Sequence, residues 1–312
     1  MIIENAPLRP PFITLFSEPG MGKTILASMF PKAIIVRLED GIESVPLDKR
    51  PAIMPMVKTV DELKAQLRWV YGKRKEHGKK TLIIDSITQA EVMFEKHIVE
   101  NDPNMPLSIN QACGGFGAGV KALGKMHAEI REILGHINEA GMAVIVIAHA
   151  TTDTVEPPDG QNYSRYNLRL NKHSQAPWVD NVDMVGFICL QKIVRGAVEE
   201  KKIGNKPGKA MSDGTRQLIC HGVAGNVSKN RYHIDDAIEL PPLDQWKNPL
   251  FPLIPYYAQF MKNGKKPESK PQPEPVVEEP VMEEPEPEQN NPTEVELDDN
   301  DFDASDYAEP EL

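Results

Sequence analysis

Residues 17–24 read SEPGMGKT, preceded by FITLFS (12–17) and followed by KTILASMF (23–30). The first flank is a short apolar run with strand character. The second has helical spacing and stops at Pro31, whose ring disfavours helical geometry in the residue before it. A strand, a glycine-rich turn and a helix in this order let consecutive backbone N–H groups curl around an anion at a helix N-terminus, where the helix dipole already favours negative charge. The spacing is that of the phosphate-binding pattern Gly-x4-Gly-Lys-Ser/Thr, with Ser17 in place of the first glycine. Gly20 and Gly22 supply the tight turn, Lys23 is positioned for the β- and γ-phosphates, and the Thr24 hydroxyl for Mg²⁺. Ser17, Glu18, Pro19, Gly20, Met21, Gly22, Lys23, Thr24 and Ile25 thus form the expected cradle of a nucleoside triphosphate.

The surrounding chain alternates apolar runs with amphipathic stretches, the order expected of an α/β fold with a mostly parallel sheet flanked by helices. AIIVRL (33–38) and TLIIDS (81–86) read as strands, the latter apolar enough to be buried on both faces. Thr59 and Glu62 have capping-box spacing ahead of a helix whose Leu63, Leu67, Val70 and Tyr71 share a face. A helix after residue 86 leads into the Pro- and Gly-rich loop DPNMPLSINQACGGFGAG (102–119). Val120, Leu123, Met126, Ile130, Ile133 and Ile137, spaced by three and four, predict a long helix across the sheet. MAVIVIA (142–148) reads as a buried strand ending at His149, and residues 150–177 as a long polar loop. DMVGFICLQKI (183–193) and TRQLICHGV (215–223) read as strands of an antiparallel extension, and 250–262 as a last helix.

The chain of 312 residues carries a net charge of −11, but unevenly. From Lys265 to Leu312 there are 3 Lys and 17 acidic residues, so of 35 basic and 46 acidic residues in all, 32 and 29 precede that segment. The body is therefore about +3 and the tail about −14, which fits a nucleic-acid-facing body with a detached acidic arm. Alternating Pro and Glu in the tail removes backbone donors and repels itself, so residues 1–264 are expected as one folded domain and 265–312 as a disordered acidic tail. Cys113, Cys189 and Cys220 form no CxxC pair and no disulfide framework, as expected of a reducing cytoplasm. Neither an export signal nor an apolar run long enough to span a bilayer is legible, so no membrane partner is expected.

Two further acidic positions belong with the phosphate loop. Asp85 ends an apolar strand, where it would hold through water the Mg²⁺ that Thr24 ligates. Glu39 and Asp40 follow the strand after the loop, and a carboxylate there would orient or deprotonate the water attacking the γ-phosphate. By residue type alone, either one fits.

SEPGMGKT, RLEDG, LIIDS and VIVIAHA, in this order, resemble the RecA-like ATPase core over roughly residues 10–240, and within it the phage ATP-binding proteins that act as single-strand annealing or recombination factors. The resemblance implies ATP as the nucleotide, Glu39 as the catalytic carboxylate, and His149 as the residue that senses the γ-phosphate and signals to a DNA-binding loop. SKNRY (228–232) resembles the KxR element with which RecA-like hexameric helicases reach into a neighbour's ATP, which implies Lys229 and Arg231 as trans-acting fingers. Two DNA-lining loops of the family match residues 102–119 and 150–177. The second carries Tyr163, Arg165, Tyr166, Arg169, Lys172, His173 and Trp178, a basic and aromatic mixture suited to phosphates and stacked bases of single-stranded DNA. Its match to the recombinases' own loop motifs is loose.

The resemblance thus implies an ATPase that binds single-stranded DNA, self-associates into a ring or filament with ATP between subunits, and promotes annealing or recombination in the cytoplasm, that of the host cell if the chain is phage-encoded. The alternative is a nucleotide-switched adaptor whose tail, with Phe302 and Tyr307 among carboxylates, recruits a single-strand binding or replication protein without acting on DNA.

Overall fold

The computed structural model describes residues 7–262 except 159, 192, 195–209 and 212–213. In chain order the elements are β1 (Phe12–Ser17), α1 (Lys23–Ser28), β2 (Ala33–Arg37), β3 (Ala52–Met56), α2 (Val60–Gly72), α3 (Arg74–His77), β4 (Thr81–Asp85), α4 (Ile87–Glu100), α5 (Ala118–Glu139) and β5 (Ala143–Val155). There follow β6 (Tyr163–Leu168), α6 (Lys172–Val179), β7 (Met184–Leu190), β8 (Ile193–Val194), β9 (Ala210–Met211), β10 (Arg216–Ile219), β11 (Lys229–Asn230), β12 (Ile238–Leu240) and α7 (Pro255–Lys262).

The main sheet runs β12-β10-β7-β1-β5-β4-β2-β3. From β7 to β3 every neighbouring pair is parallel. At the other edge β10 pairs antiparallel with β7 and β12 with β10, the expected antiparallel extension. The fold is α/β of the RecA-like P-loop type.

Period-two alternation sorts the central strands into two apolar layers. Phe12, Phe16, Leu82, Ile84, Val144 and Val146 join α2, α4 and α5 on one face, while Ile13, Leu15, Ile83, Ile145 and Ile147 join α1 and α7 on the other. Double coverage is why these strands read as unbroken apolar runs. On α5, Leu123, Ile130, Leu134 and Ile137 are buried. Helix α2 begins with the predicted capping box, Glu62 N donating to Thr59 Oγ1 (3.2 Å) and Thr59 N to Glu62 Oε2 (3.3 Å). Tyr71, expected on the buried face of α2, is exposed, because the buried stripe of that helix is Val60, Leu63, Leu67 and Val70.

The largest correction concerns residues 150–177. Strand β5 does not end at His149 but continues to Val155, turns, and pairs antiparallel with β6 in a ribbon, after which α6 begins. The β-branched run Thr151, Thr152, Thr154 and Val155 favours extended backbone, and beyond His149 β5 and β6 pair with each other while Tyr166 also bonds to Gly225 and Val227. β3 was not read from the sequence; its residues are at most half-buried and Pro55 interrupts them. Residues 265–312, with Phe302 and Tyr307, lie outside the described residues.

Candidate active site

The parallel strands deliver their C-terminal ends to one side of the sheet, where β1, β2, β4 and β5 bring Ser17, Glu39, Asp85 and His149 together. Ser17 is opposite His149 in the β1–β5 ladder, and Arg37, two residues before Glu39, is opposite Asp85 in the β2–β4 ladder. Leu38 N (2.7 Å) and Glu39 N (3.2 Å) both donate to the Asp85 carbonyl, which turns the chain after β2 toward the phosphate loop.

Gly20 and Gly22 have φ of 78° and 84°, the left-handed region that a β-carbon disfavours. Gly22 is constrained twice, since a β-carbon there would stand 2.4 Å from the Arg216 guanidinium and 2.9 Å from Leu243. Lys23 is buried and folds back on the loop, its Nζ donating to Ser17 Oγ (3.0 Å), Glu18 O (3.1 Å) and Ser17 O (3.3 Å). Ser17, the departure from the motif, thus gives the lysine an extra acceptor. Burial holds the Lys23 pKa below its ordinary value, against the pull of the Asp85 and Glu39 charges.

Asp85 is buried, and its Oδ2 accepts from Thr24 Oγ1 at 2.8 Å. Burial pushes its carboxyl up to about 6, with the Thr24 hydrogen bond opposing and the Glu39 charge adding to the rise. Gly41 leaves room beside the pair, since a β-carbon there would lie 3.5 Å from both Asp85 Oδ2 and Thr24 Oγ1. Glu39 is bonded through both carboxylate oxygens to His149 Nε2, at 3.0 and 3.1 Å. Burial would raise the Glu39 pKa, but the hydrogen bond and charge of His149 outweigh it, and the carboxyl stays below its ordinary range. An ionised Glu39 only accepts, so His149 Nε2 is the donor. Among the described residues the buried Nδ1 of His149 has no partner. Asp40, the other acidic candidate, turns outward to Arg37 at 3.5 Å. These groups surround a cavity of about 460 Å³ whose outer wall includes Leu243.

Residues 9–232 match the family model for an AAA domain. The chain belongs to that family. Among solved structures it is similar to the KaiC-like protein of the hyperthermophilic archaeon Pyrococcus horikoshii, at 16% identity and a TM-score of 0.38, over 75% of this chain and 90% of that one. No curated protein sequence matches it. The AAA domain and the cradle around Lys23 make this a P-loop ATPase.

A Mg²⁺ ion fits the AAA domain's own donors. No cluster of three or more His, Cys, Asp or Glu among the described residues is arranged to hold a metal by itself. Mg²⁺ needs no such cluster, since it takes one or two protein oxygens and completes its shell with substrate phosphates and water. Thr24 Oγ1 and the buried Asp85 carboxylate, 2.8 Å apart, are the residues that would hold it.

Other expected site residues lie elsewhere. Strand β11 places Lys229 opposite Val185 near the start of β7, the end of the sheet away from the phosphate loop. Lys229 Nζ donates to the carbonyls of Val179 and Asp180, and Arg231 pairs with Asp183 at 3.1 Å. Asp183 also holds Arg9 (2.7 Å) and Phe12 N (2.9 Å). Neither cation reaches the cavity of its own chain.

Of the basic and aromatic set, Tyr163 and Arg169 are exposed and Arg165 is half-buried, all on or beside the ribbon, while Lys172 opens α6. Tyr166 stacks on Phe187, with centroids 4.7 Å apart. Trp178 is fully buried, its Nε1 donating to His127 Nδ1 at 2.9 Å, so it cannot stack on a base and leaves the set.

Sequence reading missed Arg216 and Leu243. Arg216 reaches from β10 to donate to Met21 O (3.0 Å) and Pro241 O, clamping the tip of the phosphate loop. No local motif marks either residue, because only the crossing of β10 beside β7 brings them to the loop.

Proposed function

We propose that the chain hydrolyses ATP in a cycle coupled to binding of single-stranded DNA, and serves annealing or recombination in phage DNA metabolism. The observation that carries this reading is the continuity of β5. One strand holds His149 against Glu39 and then runs without a break into the ribbon bearing Tyr163, Arg165 and the flanking Arg169 and Lys172. Basic side chains beside the exposed Tyr163 ring supply the two elements of sequence-tolerant single-strand binding, phosphate neutralisation and stacking.

In this scheme Lys23 exchanges its Ser17 and Glu18 acceptors for the β- and γ-phosphate oxygens. Mg²⁺, held by Thr24 and Asp85, supplies neutralisation of the phosphate charge. Glu39, kept ionised by His149, takes the proton of the attacking water. A protonated Glu39 holds His149 less firmly than a carboxylate does, so turnover alters the anchor of β5 and with it the ribbon. Lys229 and Arg231, far from their own cavity, would in this reading exchange their Val179, Asp180 and Asp183 partners for a neighbour's nucleotide in a ring or filament.

ATPase rate with and without single-stranded DNA tests the coupling, with stimulation expected. A second reading, in which the nucleotide switches an adaptor, draws on the tail of 17 acidic residues. Deleting 265–312 separates the two: tighter DNA binding indicates a tail that competes with DNA, while loss of a replication partner at unchanged DNA affinity favours the adaptor.

A further inference from the structure

Among the described residues two cations on or beside the ribbon, Arg165 and Arg169, have no ion pair, and Arg169 is the one next to His149. In the antiparallel ladder Ala150 is opposite Leu168, so the next pair toward the nucleotide cavity is His149 and Arg169, joined by Arg169 N donating to His149 O at 2.8 Å. Directly opposed residues in such a ladder point to the same face, with β-carbons about 4.5–5.5 Å apart. That face is identified independently by the next pairs along it, where Asn167 Nδ2 reaches Asp153 Oδ2 at 2.6 Å. Arg169 therefore leaves the ribbon on the side where His149 meets Glu39.

The other arginines near the cavity are engaged. Arg216 is fixed to Met21 O and Pro241 O, Arg37 to Asp40, and Arg50 to Glu43. Among the described residues the Arg169 guanidinium has neither a carboxylate nor a carbonyl partner, and the residue is exposed.

We propose that Arg169 is a catalytic residue supplied in cis: its guanidinium engages the γ-phosphate of the nucleotide held by Lys23 of the same chain. This deepens the reading of the site as an ATPase and rests on it. In the step concerned, the water oxygen bonds to the γ-phosphorus as the bond to the β–γ bridging oxygen breaks. The electron pair of that bond leaves on ADP, the water proton passes to Glu39, and inorganic phosphate is the second product. Arg169 keeps all its protons and offsets the charge spread over the equatorial oxygens. Its position beside His149 also means that the cation and the water-activating pair are carried on one strand pair.

The test compares the full chain with Arg169→Ala and Arg169→Lys, measuring ATP turnover in the absence of DNA and binding of a fluorescent ATP analogue. Arg169→Ala is expected to lose on the order of 10²–10³-fold in kcat with KM changed less than about threefold, and to regain part of the rate when guanidinium ion is added. A lysine, lacking the planar fork, restores little. Mixing Arg169→Ala with Lys23→Ala should recover no activity, since each site needs both residues from one chain; recovery would show that Arg169 serves a neighbour and overturn the proposal. Unchanged DNA-free turnover in Arg169→Ala, with only single-stranded DNA affinity reduced, overturns it as well. Absence of turnover in the unaltered chain, with and without DNA, would instead remove the ATPase reading itself.

Discussion

Glu39 and His149, 110 positions apart in the chain, meet with Oε1 3.0 Å from Nε2 at the edge of the nucleotide cavity. The contact joins the group placed to activate water with the strand that continues into the basic ribbon. It also explains how a half-buried carboxylate stays ionised: the imidazole compensates for the hydration that burial removes.

Glu39→Gln should keep nucleotide binding and lose turnover by about 10²–10⁴-fold, the usual contribution of a positioned general base. Lys23→Ala should instead abolish binding. Fluorescent-nucleotide titration beside steady-state ATPase separates the two, and retained turnover in the Glu39 variant moves the role of base elsewhere.

His149→Ala removes the link while leaving Glu39 in place. DNA-free ATPase should fall modestly, because Glu39 loses the partner that keeps it ionised, whereas stimulation by single-stranded DNA should disappear. Equal stimulation in the variant and the unaltered chain would show that β5 does not carry the signal.

Asp85 gives a pH dependence. Its folded pKa, pushed up to about 6 by burial, lies above the unfolded value of 3.8. The folded state therefore binds the proton more tightly, and stability present below pH 4 is lost as pH rises through 6. At about 1.4 kcal/mol per pKa unit, the ionised Asp85 costs the nucleotide-free chain roughly 3 kcal/mol at neutral pH. Asp85→Asn should thus stabilise the nucleotide-free protein at pH 7.5 in chelator, with a gain that shrinks toward pH 4, while losing Mg²⁺-dependent turnover. Urea unfolding of both proteins across this range is the check, and an Asp85→Asn variant less stable at pH 7.5 would contradict it.

Trp178→Phe should cost about 1–3 kcal/mol through the orphaned His127 nitrogen, with single-stranded DNA affinity unchanged for the folded fraction. Tyr163→Ala should do the reverse. A loss of about 1–3 kcal/mol in binding is expected for a stacked ring. Unfolding midpoints and fluorescence anisotropy report the two effects separately.

What was legible in the sequence follows from how local each feature is. The phosphate loop declares itself because strand, turn and helix are contiguous, and Glu39, Asp85 and His149 because each ends an apolar strand. The ribbon was hidden because Thr151 to Val155 and Tyr163 to Leu168 alternate on a segment with little apolar content. Of β6 only the last two residues, Asn167 and Leu168, are buried, so it lacks the alternating apolar stripe by which strands are recognised. Trp178 looked like a base-stacking ring for the same reason: its polar neighbours gave no sign that α6 turns it onto His127. Arg216 was illegible in principle, since its partners Met21 and Pro241 come from distant parts of the chain. Asp40 and Glu39 were indistinguishable by residue type, and only the turn set by the Asp85 carbonyl directs one inward and the other toward Arg37.

The most direct measurement of the coupling between cavity and ribbon is the ATPase rate of the full chain, with and without single-stranded DNA, alongside a variant carrying Arg165→Ala and Lys172→Ala. Turnover in the unaltered chain should rise several-fold on adding DNA, and the double variant should keep its DNA-free rate while losing that rise. Identical rates with and without DNA in the unaltered chain, together with no binding of single-stranded DNA at low salt in the presence of ATP, would contradict the account.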